Sequence, residues 1–129
     1  MRPFVLEVVG EMLKVDCFTL DLSSAQALLV AARDALKGGS IKRVVVLTGN
    51  VSDIAEAVKK ELVPVQRELS NGRRTAWVDE RARFRGIALW VMHLAQDPNG
   101  KALSTMAQAE DWLQSTEARE ARGSRVAGP

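Results

Sequence analysis

Ile41-Lys42-Arg43-Val44-Val45-Val46-Leu47-Thr48-Gly49-Asn50 is the stretch that decides the fold class. Four apolar residues in succession, Val44 to Leu47, stand between Lys42-Arg43 and Thr48-Gly49-Asn50. A strand with one wet face alternates apolar and polar side chains. An unbroken apolar run belongs to a strand covered on at least one face and, on this pattern, on both. The three valines are β-branched and favour extended backbone. The run therefore predicts a central strand with Val46 or its neighbours fully buried.

Outward from that strand, helix and strand patterns alternate. Upstream, Ala25, Leu28, Leu29, Ala32 and Leu36 fall on one helical face, Ser23 with Gln26 reads as a capping box, and Gly38-Gly39 supplies the stop. Before it, Phe4 to Val9 and the alternating Leu13, Val15 and Cys17 read as two strands meeting at Gly10-Glu11, with the second suited to an edge. Downstream, Asn50 is expected to cap a helix that has Asp53 in its first turn and Val51, Ile54, Ala55, Val58, Leu62, Val65 and Leu69 along one side. Pro64 predicts a kink or break there, and Asn71-Gly72 ends the element. Ala76-Trp77-Val78 is a third main strand, and Phe84 to Gln96 an apolar helix stopped by Asp97-Pro98-Asn99-Gly100. A short strand over Lys101 to Ser104 and a helix over Ala107 to Leu113 close the pattern.

The order β-β-α-β-α-β-α-β-α predicts an α/β fold. Its sheet is mixed but mostly parallel, with about five strands, an N-terminal β-hairpin and about four helices. One domain is expected over 1–115, followed by a flexible tail over 116–129 that offers only Val126 as a sizeable apolar group.

Composition narrows the function classes. The 129 residues suit one domain, and 47% apolar with 26% charged residues excludes disordered, collagen-like and disulfide-framework chains. Apolar stretches such as Gly86 to Met92 fall short of the ~20 residues a spanning helix needs. With no leader pattern and a single cysteine, Cys17, the expectation is a cytoplasmic chain without a membrane span. The net charge of +2 is too small to choose a partner by itself.

No constellation of nucleophile, base and orienting group is visible, so no catalytic residue, cofactor or metal ligand is assigned and the chain is read as a non-enzyme. The turn at Leu47-Thr48-Gly49-Asn50-Val51-Ser52 has one glycine and no lysine, short of a phosphate-binding loop. His93 lies on an apolar helix without partners at ligand spacing, and Cys17 reads as a small buried hydrophobe. Asp79-Glu80 and Glu110-Asp111 are adjacent pairs whose side chains diverge, and both are expected to be solvated. Arg73, Arg74, Arg81, Arg83 and Arg85 form the one notable basic patch, a local +3 against Asp79 and Glu80. A nucleic-acid footprint would need exposed aromatics beside it, whereas Trp77 and Phe84 suit the core, so nucleic acid is disfavoured.

The element order resembles the STAS domain, the fold of bacterial anti-sigma-factor antagonists, and its SEC14-like relatives. The similarity covers most of Phe4 to Leu113. It rests on the hairpin Val5 to Val15, the Gly38-Gly39 stop, the strand Ile41 to Leu47, the strand Thr75 to Val78 and the closing Met106-Ala107-Gln108-Ala109-Glu110-Asp111-Trp112-Leu113. The resemblance implies a regulatory module that binds a protein partner in bacterial partner-switching or signalling, and it leaves room for a homo-oligomer. It places the working surface at Asn50, Ser52, Asp53 and Glu56, beside Lys59 and Lys60. Phosphorylation-controlled antagonists carry Asp-Ser-Ser or Asp-Ser-Gly there, whereas Ser52-Asp53 has the reverse order. Two alternatives remain: a small-ligand domain for lipid or nucleotide, walled by the helix over Gly86 to Leu94, and a weak nucleic-acid binder using the Arg73 to Arg85 cluster.

Overall fold

The computed structural model describes residues 2–114. The tail expected over 116–129 and its boundary at 115 lie outside the described residues. Five strands form one sheet in sequential order: β1 (Phe4–Val9), β2 (Met12–Cys17), β3 (Arg43–Leu47), β4 (Arg74–Val78) and β5 (Gly100–Leu103). β1 and β2 pair antiparallel and every later pair is parallel. α1 (Leu22–Ala35), α2 (Glu56–Ser70) and α3 (Ala82–Leu94) are the crossovers, and α4 covers 106–114.

β3 is the middle strand, as its apolar run demands. Val44 and Val46 face one side, into a core with Leu13, Val15, Leu28, Leu62, Trp77 and Val91. Val45 faces the other, against Ala76, Val78, Ala109 and Leu113. The three crossover helices share the first face, as successive crossovers of one hand require when strand order is sequential. α4 covers the second face. That division explains why β3 reads as wholly apolar.

β2, expected to suit an edge, is interior, and β1 is the edge. Its alternation survives there because its polar half, Lys14 and Asp16, lies on the second face and is only half-buried. The hairpin closes through two residues, with Gly10 at φ +61, the geometry a II′ turn requires at its first central position. The cap of α1 is Asp21 with Ser24, where Ser23 with Gln26 was expected. Asp21 Oδ1 accepts the Ser24 N–H and Ser24 Oγ accepts the Asp21 N–H, each at 2.8 Å, so the helix starts two residues earlier. Ser23 donates to Asp21 Oδ1 at 3.2 Å and supports that cap.

α2 starts at Glu56, with Ala55 as its N-cap and no side chain closing the end. The expected helix start at Asn50 is therefore displaced by about a turn and a half. Val51 and Ile54, each 2% exposed, explain it. Both insert into the core from a segment without regular secondary structure, and that burial outweighs local capping preference. α2 runs unbroken from Glu56 to Ser70 through Pro64, which removes one backbone hydrogen bond without ending the helix.

Candidate functional site

The parallel strands β2 to β5 all end on one side of the sheet, where their following loops converge. In open α/β sheets ligands bind beyond the carboxyl ends of the strands. An open cleft of about 580 Å³ lies there, lined among others by Asp16, Asn50, Asp79, Glu80, Arg81 and Thr105.

Two loops form the centre of the site. Thr48 follows β3 and Asp79 follows β4, and because Leu47 is registered with Val78 the two are neighbours. Thr48 Oγ1 donates to Asp79 Oδ2 at 2.8 Å. The Arg81 guanidinium grips both Asp79 oxygens at 2.9 Å, the Arg81 N–H adds 2.9 Å to Oδ1, and Arg81 Nη2 reaches the Thr48 carbonyl at 2.9 Å. Asp79 is only 4% exposed. Burial alone would raise its pKa, but the hydrogen bonds from Arg81 and Thr48 outweigh that and hold the carboxyl below its usual range. The expected solvated Asp79-Glu80 pair is therefore split: Glu80 is exposed and Asp79 is a buried ionic hub.

Beside this hub, Asn50, Ser52, Asp53 and Glu56 are all exposed. The segment between β3 and α2 is pinned at Val51 and Ile54, so Ser52 and Asp53 stand out between two buried anchors. The Val51 N–H donates to the Thr48 carbonyl at 3.0 Å, which tightens the first turn. Arg83 Nη1 donates to Asp53 Oδ1 at 2.8 Å and ties this segment to the start of α3. The Arg83 hydrogen bond, with the Ile54 N–H behind it, lowers the Asp53 pKa. Glu56 pairs with Lys59, which lowers its pKa too. Asn50 lies on the cleft, and Ser52 and Asp53 border a second, smaller hollow beside Thr19 and Leu20.

The five arginines do not form one patch. Arg73 and Arg74 lie at the start of β4, Arg81, Arg83 and Arg85 beyond its end, with the strand's length between them. Arg73 donates to the carbonyls of Ile41, Glu68 and Asn71, and Arg85 to those of Asp79 and Glu80. Arg81 stacks on Phe84, 3.6 Å from the ring centre. Trp77 is buried, its Nε1 donating to Gln66 Oε1 at 2.7 Å. His93 is exposed on α3, and Glu110 and Asp111 are exposed on α4. Cys17 is buried, and burial pushes its thiol up to about 12. Among the described residues no cluster of three His, Cys, Asp or Glu side chains is placed to hold a metal, and no helix is long and apolar enough to cross a membrane.

No protein-family model matches the chain, and no curated protein matches it. Solved structures do. SpoIIAA, an anti-sigma factor antagonist, matches in its unphosphorylated form at a TM-score of 0.62 and 18% identity, over 86% of this chain and 97% of that one. A Thermotoga maritima protein described as an anti-sigma factor antagonist matches at 0.65 and 17%, over 86% and 94%. Bacillus SpoIIAA in its phosphorylated form matches at 0.59 and 20%, over 84% and 96%. The fold is that of the anti-sigma factor antagonists. The mixed five-stranded sheet is the one the sequence resemblance implied.

Proposed function

We propose that the chain is a non-catalytic, cytoplasmic interaction module of STAS type that regulates a protein partner by binding it. The surface is Asn50, Ser52, Asp53 and Glu56 with the adjoining start of α3. The observation that carries this reading is the Ser52-Asp53 pair, exposed between the buried anchors Val51 and Ile54 and tied to Arg83. A segment held this way presents polar groups in a fixed arrangement, so a partner does not have to order it on binding. Likeness to antagonists solved in phosphorylated and unphosphorylated forms supports a module whose partner choice is switched. The fixed charge near Ser52 suits such control, since a change there acts on a docked partner directly.

The cleft supports a small-ligand reading as second choice. Its lining mixes Leu47, Val78 and Met106 with Asp16, Glu80 and the Asp79–Arg81 ion pair, and takes nothing from the helix over Gly86 to Leu94 that the sequence suggested as a wall. The division of the arginines between two ends of β4 removes the support for nucleic acid.

Affinity capture from the native host tests the leading reading. Wild type should retain a protein partner, and Ser52→Glu and Asp53→Arg should each weaken that capture tenfold or more while the folded spectrum persists. Both side chains are exposed, and a surface ion pair contributes only about 0–1 kcal/mol to folding, so the variants should stay folded. Capture at wild-type affinity by both folded variants would remove this surface from the proposal. A ligand that raises the melting temperature, with no partner captured, would favour the cleft.

A further inference from the structure

β1 is an edge strand, and among the described residues no other strand pairs with its outer side. The backbone parity follows from its two ends. At one end the Phe18 N–H donates to the Pro3 carbonyl at 2.7 Å, and at the other the two-residue turn closes on the pair Val9↔Met12. Hydrogen-bonded and non-bonded pairs alternate along an antiparallel ladder. Val5, Glu7 and Val9, in step with Pro3, therefore turn their backbone groups toward β2. Phe4, Leu6 and Val8 turn theirs outward, beyond the last strand of the sheet.

Apart from the charge of Glu7, the protective devices common on edge strands are missing from β1. Phe4–Val9 contains no lysine, no proline and no bulge, since its six pairs with β2 run without interruption. Val8 is 57% and Val9 49% exposed. The opposite edge, β5, is shorter and carries Lys101.

We propose that this edge pairs antiparallel with the same edge of a second copy of the chain, about a two-fold axis at Leu6. A two-fold axis normal to the sheet keeps each residue on its own face, so only positions of equal parity can lie opposite one another. Centred on Leu6, Phe4 meets Val8 of the second copy, Leu6 meets Leu6, and Val8 meets Phe4. All three pairs are of the outward-facing kind, with two backbone bonds each. On the other face Val5 lies opposite Glu7. Charge selects this register and a second copy together. It lays exposed Arg2 of each copy beside the exposed Gly10-Glu11 turn of the other, opposite charges at both ends. Centring on Glu7 would set two carboxylates face to face, which is destabilising. Centring on Val8 would leave Phe4 past the end of the partner's strand.

One strand pair buries less than the ~1,200 Å² of a stable standard interface, so half-association is expected between about 1 µM and 1 mM. Sedimentation of the full chain should show a concentration-dependent dimer across that range. Val8→Pro removes an outward N–H without touching a bond to β2, and should leave a folded monomer with at least tenfold weaker association. Leu6→Cys should cross-link under mild oxidation. Val8→Cys should not, because the two copies of residue 8 lie four residues, ~13 Å, apart along the strands. Buried Cys17 takes no part. A monomer throughout the range overturns the proposal, as does undiminished association of Val8→Pro. Equal cross-linking of Val8→Cys and Leu6→Cys overturns the register.

Discussion

At the scale of single residues, three buried polar or sulfur groups govern how the fold responds to conditions. Asp79 has a folded pKa held below its unfolded value, so its contribution is fully present above pH ~4 and is lost as pH falls through the folded value. Asp79→Asn should cost about 1.5–3 kcal/mol at pH 7, the range for hydrogen bonds to a charged group. It should also flatten the acid limb of a stability-against-pH curve measured by denaturant titration. Gln66, fully buried, accepts from Trp77 Nε1 and donates to Thr75 Oγ1 at 3.0 Å and to Asp97 Oδ2 at 2.8 Å. Gln66→Leu leaves the indole N–H unpaired, and urea unfolding should show a loss of about 1–3 kcal/mol. Cys17 should resist thiol reagents at pH 8 in the folded chain and react on unfolding, because burial keeps its thiolate scarce. Of these three, only the burial of Cys17 is legible in the sequence. Asp79 has Arg81 two residues away but meets Thr48 only through strand register, and Gln66 acquires its partners from helix packing on β4 and the end of α3.

At the scale of elements, strands were legible and helix starts were not. Val44 to Leu47 announces a middle strand because burial on two faces leaves no polar position in the run. The start of α2 escaped because Asn50 is a good local cap, while the burial of Val51 and Ile54 is a tertiary effect that keeps this segment out of the helix. The end of α3 shows the same competition. Gln96 N–H donates to His93 O at 3.1 Å and Asp97 N–H to Met92 O at 3.0 Å, the paired bonds of a Schellman motif. Gln96 holds φ +58 there, a position usually given to glycine. Gln96→Gly should therefore raise stability by about 0.5–1 kcal/mol, read as a higher melting temperature. Just beyond, Gly100 opens β5 where a Cβ would lie 2.8 Å from Thr75 Oγ1 and from Met92 Sδ, so its glycine answers to crowding.

At the scale of the molecule, sequential strand order puts three helices on one face and gathers the loops after β3, β4 and β5 at one end. That architecture could be read from the alternation of patterns. The place of the site could be read from the turn after the middle strand, but its internal wiring could not. Five arginines close in sequence looked like one patch, yet β4 carries two of them to the opposite end of the sheet. Thr48 and Asp79, thirty-one positions apart, become hydrogen-bonded neighbours. The central claim is that this end of the sheet, with Ser52 and Asp53 at its rim, receives the partner. Amide hydrogen exchange of the full chain, alone and with its captured partner, tests it most directly. The expected result is slowed exchange concentrated in residues 49–56 and 80–85, with the exposed face of α1 unchanged. Slowed exchange confined to α1, α4 or the β1 edge, with 49–56 unaffected, would contradict it.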